Sequence, residues 1–293
     1  MTVIDTKIAA IQMVSVANIK ENLQQAEDLV SFAAAQGAKF VVLPENFATF
    51  TMANLNEIAL AEQQGNGPLL AWAQRLSKKL DIWLVAGTLP LFSQPFSKSA
   101  SENFVEPDSG NATNKRRVYA ASCLFSPNGE LVCRYNKMHL FDVLVGDSQG
   151  RYCESEVFIA GDQPVSFQLP WAMLGLSVCY DLRFPELYRY YQRSGCDIVT
   201  VPSAFTEKTG EAHWQVLLQA RAIENQCYIV AANQGGVHDT KRRTWGHSMI
   251  IDPWGEILDC CEKGPGVVFA SVSSEKLTQV RQQMPVAEHR RLD

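Results

Sequence analysis

Hydrophobic and polar positions along this chain follow two periodicities, one typical of strands and one typical of helices. Short apolar segments of strand length occur at residues 6–13, 40–43, 82–86, 118–125, 131–136, 172–178, 198–201, 228–232, 247–252, 256–261 and 267–272. Apolar residues spaced by three and four, as on one helical face, predict helices after Asn18, from Pro68, and over 185–194, 211–226 and 274–283. Strands that alternate with helices predict an α/β layered fold.

Several local signals mark where these elements begin and end. Asn18 is a suitable N-cap, and Glu21 three residues later completes the pattern of a capping box. Gly37 is a natural residue to follow the end of that helix. The segment 126–129, Ser-Pro-Asn-Gly, predicts a hairpin turn between two strands. Pro185 is expected in the first turn of a helix, where proline is tolerated.

One segment interrupts the alternation. Residues 92–117 are rich in Ser, Asn, Pro and Gly, so we interpret them as a surface loop. No repeat, low-complexity tract or linker is visible elsewhere. The simplest prediction is a single domain, 1–293, with mixed sheets and flanking helices.

Composition narrows the class of protein. With 46% hydrophobic and 19% charged residues, the chain is typical of a soluble globular protein. The net charge of −5 argues against a nucleic-acid partner. No apolar run reaches the ~20 residues of a membrane span, and the N-terminal residues lack the pattern of a signal peptide. We therefore expect a cytoplasmic protein without a membrane partner.

The cysteines and histidines do not indicate a metal centre. The chain has eight cysteines and five histidines, without C-x-x-C or H-x-x-x-H spacing, so no metal is expected. A chain of this size without a secretion signal does not require disulfides. Most of the cysteines are interpreted as small buried hydrophobes.

Three reactive residues follow apolar strands. Glu45, Lys137 and Cys179 come at or just after the carboxyl ends of the segments 40–43, 131–136 and 172–178. In α/β folds this is where loops open a crevice for ligands. An isolated cysteine, lysine or glutamate is usually a packing or surface residue. The turn after Cys179 differs because it carries several charged residues, which indicates ion pairing in a cleft.

These residue types match the requirements of amide hydrolysis. Cys179 would be the nucleophile, and it needs a base because a free thiol is mostly protonated at neutral pH. Glu45 would be that base. Lys137 and the backbone N–H of Tyr180 would stabilise the oxyanion.

Taken together, the three segments resemble the nitrilase superfamily of C–N hydrolases, in which Glu, Lys and Cys occur in this order. The matching motifs are Leu43-Pro44-Glu45, Tyr135-Asn136-Lys137-Met138-His139-Leu140-Phe141-Asp142 and Val178-Cys179-Tyr180-Asp181-Leu182-Arg183-Phe184-Pro185-Glu186. The resemblance spans nearly the whole chain. It implies a four-layer α-β-β-α sandwich, commonly dimerised through helices so that the layers double, with neither metal nor organic cofactor.

The same resemblance implies a second, supporting glutamate. Glu154, in Cys153-Glu154-Ser155, matches that position, although a simple loop carboxylate is the alternative. The segment before it departs from the family pattern. Relatives often have Phe-Asp-Val-Asp where this chain has Phe141-Asp142-Val143-Leu144, which leaves the local loop geometry open.

Within the superfamily, the chain is most similar to Nit-type amidases that act on carboxylate-bearing amides. The expected reaction gives a carboxylic acid and ammonia through a Cys thioester. The similarity rests on segments 202–205, 209–214, 221–224, 246–248 and 252–255. Segments 226–228 and 241–243 favour the branch for deaminated glutathione, a metabolite-repair activity. An ω-amidase for 2-oxoglutaramate or 2-oxosuccinamate is the alternative.

Two further functions are less favoured. Nitrile hydrolases usually carry Cys-Trp-Glu at the nucleophile, where this chain has Cys179-Tyr180-Asp181. A catalytically silent interaction protein should lack a catalytic residue, and none is missing.

Candidate substrate contacts come from the turns near the nucleophile. Arg183 would hold a substrate carboxylate, or else would pair with Asp181 or Glu186. Phe205 and Thr209 would line the pocket. His139 and His213 are interpreted as partners in structural hydrogen bonds, in preference to a Cys–His protease. Apolar residues on the helices at 185–194 and 211–226 (Leu187, Tyr188, Tyr191, Trp214, Leu217 and Leu218) predict a symmetric homodimer.

Overall fold

The computed structural model of the chain describes residues 5–92, 117–147, 149–238 and 242–292. The surface loop predicted over 92–117 lies outside these ranges except for its two end residues. Among the helices described, none combines the length and apolar character needed to cross a bilayer.

Strands and helices alternate as the apolar pattern predicts. The strands are β1 (Thr6–Gln12), β2 (Phe40–Val42), β3 (Trp83–Val85), β4 (Leu89–Leu91), β5 (Tyr119–Phe125), β6 (Leu131–Asn136), β7 (Asp142–Leu144), β8 (Arg151–Cys153), β9 (Val165–Gln168), β10 (Met173–Leu176), β11 (Ile198–Thr200), β12 (Tyr228–Ala231), β13 (Ser248–Ile251), β14 (Ile257–Cys261) and β15 (Gly266–Val272). The helices are α1 (Ile19–Ala35), α2 (Leu55–Gln63), α3 (Pro68–Leu80), α4 (Pro185–Arg193), α5 (Glu207–Thr209), α6 (Gln215–Asn225), α7 (Ser274–Gln283) and α8 (Val286–His289).

The strands form two large sheets within the described residues. A seven-stranded sheet has the order β15-β1-β2-β3-β5-β4, with β6 paired to β5. A six-stranded sheet has the order β14-β13-β12-β11-β10-β9, and β7 pairs with β8 in a separate hairpin. The centres of both sheets are parallel, β1-β2-β3 in the first and β10-β11-β12 in the second.

The two sheets pack face to face, and helices cover their outer faces. One buried cluster joins Val42 and Leu124 of the first sheet to Leu174 and Val199 of the second. A second cluster joins the other face of the first sheet to α1 and α3, while α4 and α6 pack on the second sheet. Burial of each such aliphatic or aromatic side chain contributes about 1.5–3 kcal/mol to the stability of the fold. The predicted α-β-β-α sandwich is confirmed.

The predicted local signals are found with one change. The Asn18 side chain accepts hydrogen bonds from the backbone N–H groups of Lys20 and Glu21. The Glu21 carboxylate accepts a hydrogen bond from the side-chain amide of Asn18, at 2.6 Å, and not from its backbone N–H as in a capping box. Gly37 has φ +91° after α1, and Gly129 has φ +83° in the β5–β6 turn. Both values favour glycine because it lacks a Cβ.

The helix predicted over 211–226 differs most from its predicted form. Helical structure begins earlier, with α5, and passes through a π-helical turn over Gly210–Trp214 before α6. Helix α2 and the β7–β8 hairpin were not predicted. The missed signal for α2 is its buried face, formed by Leu55, Ile58, Ala59 and Glu62 at helical spacing.

The surface predicted for dimerisation also needs correction. Leu187, Tyr188, Tyr191, Trp214 and Leu218 are buried within the chain's own core. These side chains pack against the second sheet, and residues between them on the same helices face outward. The exposed apolar residues of these helices are Tyr190, Val216 and Ile223.

Candidate active site

The strand order brings the three predicted residues to one end of the sandwich. Strand β6 is antiparallel to β5, which is antiparallel to β3, so β6 runs in the same direction as β2 and β3. Glu45 and Lys137 therefore follow strands, β2 and β6, whose carboxyl ends lie at the same end of the first sheet. Cys179 follows β10 in the facing sheet, and the three residues meet where the carboxyl ends of these strands come together.

Lys137 is at the centre of a buried ionic cluster. Its Nζ lies 2.7 Å from Glu45 Oε1 and 2.8 Å from Glu154 Oε2, and the lysine side chain is 1% exposed. Burial opposes the charge of the lysine, but the carboxylates of Glu154 and Glu45 outweigh burial and hold the pKa of Lys137 well above its usual value. The side chain is therefore an ammonium at neutral pH.

Glu45 uses both carboxylate oxygens. Oε1 accepts from Lys137, and Oε2 accepts from the backbone N–H of Ala204 at 2.9 Å. Ala204 follows β11 of the second sheet. The same N–H favours the ionised form of the Cys179 thiol and so opposes the rise of its pKa, and Glu45, Ala204 and Cys179 line one pocket. These two contacts hold the carboxylate of Glu45 in place near Cys179.

Glu154 reaches the cluster from the short 3-10 helix Glu154–Glu156 after the β7–β8 hairpin. Its carboxylate accepts from Lys137 Nζ and, at 2.8 Å, from the backbone N–H of Phe141. Burial raises the pKa of Glu154, while Lys137 opposes that shift. The segment 141–144, which departs from the family pattern, thus contributes a backbone donor and strand β7 to the site.

Cys179 occupies a strained backbone position. Its φ is +47°, a left-handed conformation that costs a non-glycine residue about 1–3 kcal/mol. The backbone N–H donates to Pro202 O at 2.9 Å, and the residue is 8% exposed. Burial and then the nearby Glu45 carboxylate raise the pKa of the thiol well above its usual value, against the pull of Lys137. The resting sulfur is therefore a thiol that must lose its proton to react.

Asp181, which the sequence interpretation did not place in the site, supports it from behind. Its carboxylate is fully buried and accepts hydrogen bonds from Tyr135 Oη (2.7 Å), Val178 N (2.8 Å) and His139 N (3.1 Å). His139 Nδ1 lies 2.7 Å from the same carboxylate. Asp181 thereby joins the segment around Lys137 to the turn that carries Cys179.

A small inner pocket of about 20 Å³ lies over Cys179. The predicted residues Tyr180, Phe205 and Thr209 line it, and so do five residues that were not predicted: Asn46, Phe141, Ala204, Thr206 and Arg242. Tyr180 is in the first turn of the 3-10 helix Cys179–Arg183, where backbone N–H groups lack intrahelical acceptors.

Arg183 is outside the lining of this pocket. Its Nη1 lies 3.2 Å from His213 Nδ1, and neither predicted pairing, with Asp181 or with Glu186, is formed among the described residues. The guanidinium lies 5.2 Å from the ring centre of Phe205 and 5.9 Å from that of Tyr180. Arg183 therefore lies behind Phe205 and Tyr180, two of the residues that line the pocket.

With this geometry in place, comparison with known proteins identifies the family. The sequence profile of the carbon-nitrogen hydrolase family matches residues 7–282. The chain belongs to the carbon-nitrogen hydrolase family.

Relatives of this carbon-nitrogen hydrolase share a common name. This hydrolase is 44% identical to the deaminated glutathione amidase of Synechocystis over 96% of this chain and 97% of the relative. It is 38% identical to the human protein of that name over 98% of this chain and 82% of the relative. The hydrolase therefore acts on C–N bonds as an amidase.

Solved structures agree with the fold. The NitFhit protein of Caenorhabditis elegans superimposes with a TM-score of 0.83 and 34% identity, over 99% of this hydrolase and 66% of that chain. A nitrilase-superfamily protein of Saccharomyces cerevisiae gives a TM-score of 0.80 and 26% identity, over 98% and 97% of the two chains.

The site of this hydrolase combines a buried thiol, a carboxylate and an ammonium around one pocket. Such a set suits the formation and cleavage of an acyl bond, because the proton donor, the proton acceptor and the positive charge that the reaction needs are already in place. Neither His139 nor His213 forms a hydrogen bond with Cys179 in the described part of the chain. Each instead makes the structural contact expected from the sequence, with Asp181 and Arg183 respectively.

Proposed function

We propose that this hydrolase cleaves a carboxylate-bearing amide through a thioester on Cys179, and that its substrate is deaminated glutathione. The observation that supports this mechanism most is the buried cluster in which Lys137 contacts both Glu45 and Glu154 next to the Cys179 pocket. The names of the relatives support the choice of substrate.

Acylation begins with attack of Cys179 Sγ on the amide carbonyl carbon. Glu45 takes the thiol proton as the C–S bond forms. The Lys137 ammonium and the Tyr180 N–H stabilise the negative oxygen. Collapse of the tetrahedral intermediate breaks the C–N bond, and Glu45 returns its proton to the departing nitrogen, so that the amine leaves and a thioester remains.

Deacylation uses the same residues with water as the nucleophile. Glu45 takes a proton from the water as its oxygen attacks the thioester. The intermediate collapses, the C–S bond breaks, and the thiolate of Cys179 recovers a proton from Glu45. Glu154 supports both steps because it holds Lys137 in place.

The nature of the departing nitrogen separates the two candidate substrates. In deaminated glutathione the scissile bond is a secondary amide, so the leaving group is a dipeptide amine and not the ammonia expected from sequence. In 2-oxoglutaramate, the ω-amidase alternative, it is ammonia. The acyl group is the same in both, and 2-oxoglutarate is the common product.

A single assay can therefore compare the two. The purified protein is given each substrate, and release of 2-oxoglutarate is measured. We expect kcat/KM to be at least about tenfold higher for deaminated glutathione, a difference of about 1.4 kcal/mol. The reverse order would favour the ω-amidase, and turnover of neither would reject both. Cys179→Ala should lose activity by ~10⁴-fold or more, whereas Cys260→Ser, at an exposed cysteine, should retain it.

Phe205 and Thr209 are proposed to contact the acyl part of the substrate. Both line the inner pocket, and Thr209 Oγ1 is held 2.8 Å from Thr206 Oγ1. Arg183, behind Phe205, is proposed to attract the substrate carboxylate to this side.

The assembly and setting of the protein are proposals of the same kind. We propose a single-domain cytoplasmic enzyme of metabolite repair that forms a homodimer through α4 and α6. The shared core of the two sheets supports one domain. The exposed side chains of Tyr190 (47%), Val216 (67%) and Ile223 (51%) support a dimer face, because they lie on two helices, α4 and α6, that contact each other.

A further inference from the structure

A second cavity opens next to the inner pocket and is much larger. Its volume is about 260 Å³ against about 20 Å³. Asn46, Phe141, Glu154 and Arg242 line both, so the two spaces share a wall. Phe205 and Thr209, proposed for the acyl part, line only the inner pocket. The outer cavity is therefore space next to the reacting residues that the acyl part does not use, and it is available to a leaving group.

The charge of the outer cavity favours an anion. Arg242 is the cation among the described residues that line it, and the carboxylate of Glu154, the acidic group of the same described lining, is bound by Lys137. The guanidinium lies 5.1 Å from the ring centre of Phe50 and 5.0 Å from that of Tyr152. Its Nη1 donates to Gln149 Oε1 at 3.1 Å. Two rings and one amide thus orient a group suited to carboxylates.

The wall of the cavity also contains an unpartnered polar atom. Thr49 is 3% exposed, and its hydroxyl makes no hydrogen bond to the described residues. A buried hydroxyl without a partner is unfavourable by about 1–3 kcal/mol, which a ligand could relieve. Met52, Leu55 and Phe158 add an apolar surface next to it. This mixture suits a short peptide better than a simple ammonia-releasing amide.

We propose that the outer cavity binds the leaving group of the substrate, a dipeptide-like amine whose terminal carboxylate pairs with Arg242. Thr49 donates or accepts a hydrogen bond at the peptide group of that amine. The inference rests on the proposed amidase function and adds to it the part of the enzyme that selects the nitrogen side of the scissile bond.

Three substrates with the same acyl group test this pairing. They are deaminated glutathione, the same compound with its terminal carboxylate converted to a carboxamide, and 2-oxoglutaramate, which has no peptide tail. Release of 2-oxoglutarate is measured for wild type, Arg242→Ala and Arg243→Ala. Arg243 is a matched control because it is adjacent, carries the same charge and has a side chain that is 58% exposed.

Arg242→Ala should lower kcat/KM for deaminated glutathione by at least about 30-fold, since loss of one partner of a desolvated charge pair has effects of this size. The other two substrates should change by less than about threefold, and so should all three with Arg243→Ala. Thr49→Val should weaken both peptide-tailed substrates and spare 2-oxoglutaramate.

Equal losses on all three substrates would overturn the proposal, because Arg242 would then act on the shape of the site. So would an unchanged rate on deaminated glutathione. If wild type hydrolysed none of the three, the proposed function would fail. Calorimetry with the dipeptide cysteinylglycine would then test the cavity alone. Binding to wild type that is lost in Arg242→Ala would support the subsite, and absent or equal binding would reject it.

Discussion

Lys137 shows how single residues set the chemistry of this site. A lysine buried to this degree is normally unstable as a cation, and two carboxylates at 2.7 and 2.8 Å compensate for its desolvation. The same contacts tie Glu45, the proposed base, and Glu154, the proposed supporting carboxylate, to one positive charge. Each of the two carboxylates therefore affects the other through Lys137.

The raised pKa of Glu154 predicts a pH dependence. Burial raises this pKa above its ordinary 4.5, so Glu154 takes up a proton as pH falls, at a higher pH than an exposed glutamate. Protonation weakens its hold on Lys137, and activity should fall on the acid side from above pH 4.5. In Glu154→Gln we expect kcat/KM to be ~10–100-fold lower, with this acid limb lost. The profile of kcat/KM from acid to neutral pH is the measurement.

Glu156→Gln provides the matched control, because Glu156 is in the same 3-10 helix with a side chain that is 65% exposed. Its pH profile should follow wild type. An unchanged acid limb in Glu154→Gln would show that another group titrates there.

Arg183 gives a second prediction at this scale. If it attracts the substrate carboxylate, Arg183→Ala should lower kcat/KM for anionic amides by about a hundredfold, or about 2.7 kcal/mol, and affect a neutral amide of similar size much less. Kinetics on both substrates, with a melting curve, decide the matter. Equal losses with a lower melting temperature would mean that Arg183 only supports Phe205 and Tyr180 through its contact with His213.

At the scale of elements, one side chain fixes the position of two segments. Asp181 accepts bonds from Tyr135 and His139 on either side of Lys137, and from Val178 just before Cys179. Strand β6 and the turn after β10 belong to different sheets. Their relative position therefore depends on this carboxylate as well as on the packing of the core.

Asp181→Asn should disturb this positioning, because its amide N–H₂ would face donors that now point at a carboxylate oxygen. We expect kcat to fall by ~10–100-fold and the melting temperature to fall with it, as one or two bonds of ~1–3 kcal/mol are lost. The rate of alkylation of Cys179 by iodoacetamide should also fall in the folded variant. Kinetics, melting and alkylation are measured together.

Asp197→Asn separates positioning from stability. Asp197 also bridges elements, since it accepts from Met173 N at 2.9 Å and pairs with Arg281 at 2.8 Å, away from the pocket. It should lower the melting temperature without slowing alkylation of Cys179. If both variants slowed alkylation equally, the special position of Asp181 would be refuted.

For the whole molecule, the exposed apolar residues on α4 and α6 predict a symmetric dimer. Val216→Glu combined with Ile223→Glu places charges on this face and should shift a dimer to monomer in light scattering at micromolar concentration. Phe32→Glu, on α1 in the opposite outer layer and 51% exposed, should leave the dimer intact. A wild-type protein that is monomeric under these conditions would contradict the prediction.

Much of the architecture was predictable because it depends on local patterns. The order of strands and helices, the cap at Asn18 and the turn at Gly129 all follow from side chains close to one another in the chain. Helix α2 and hairpin β7–β8 were missed because their apolar signals are short. The dimer residues were misplaced because periodicity alone does not say which side of a doubly apolar helix faces the core.

The layered fold follows from the sequence pattern, which also indicated Glu45, Lys137, Cys179 and Glu154 because they are reactive side chains in recognisable motifs. The groups that surround these residues became known from the folded structure. Ala204 contributes a backbone N–H that any residue but proline would carry, so its identity holds no signal. Arg242 and Asp181 contact residues that are far from them in sequence, beyond the reach of any local pattern. Their roles depend on how two sheets pack, and that packing brings distant residues together.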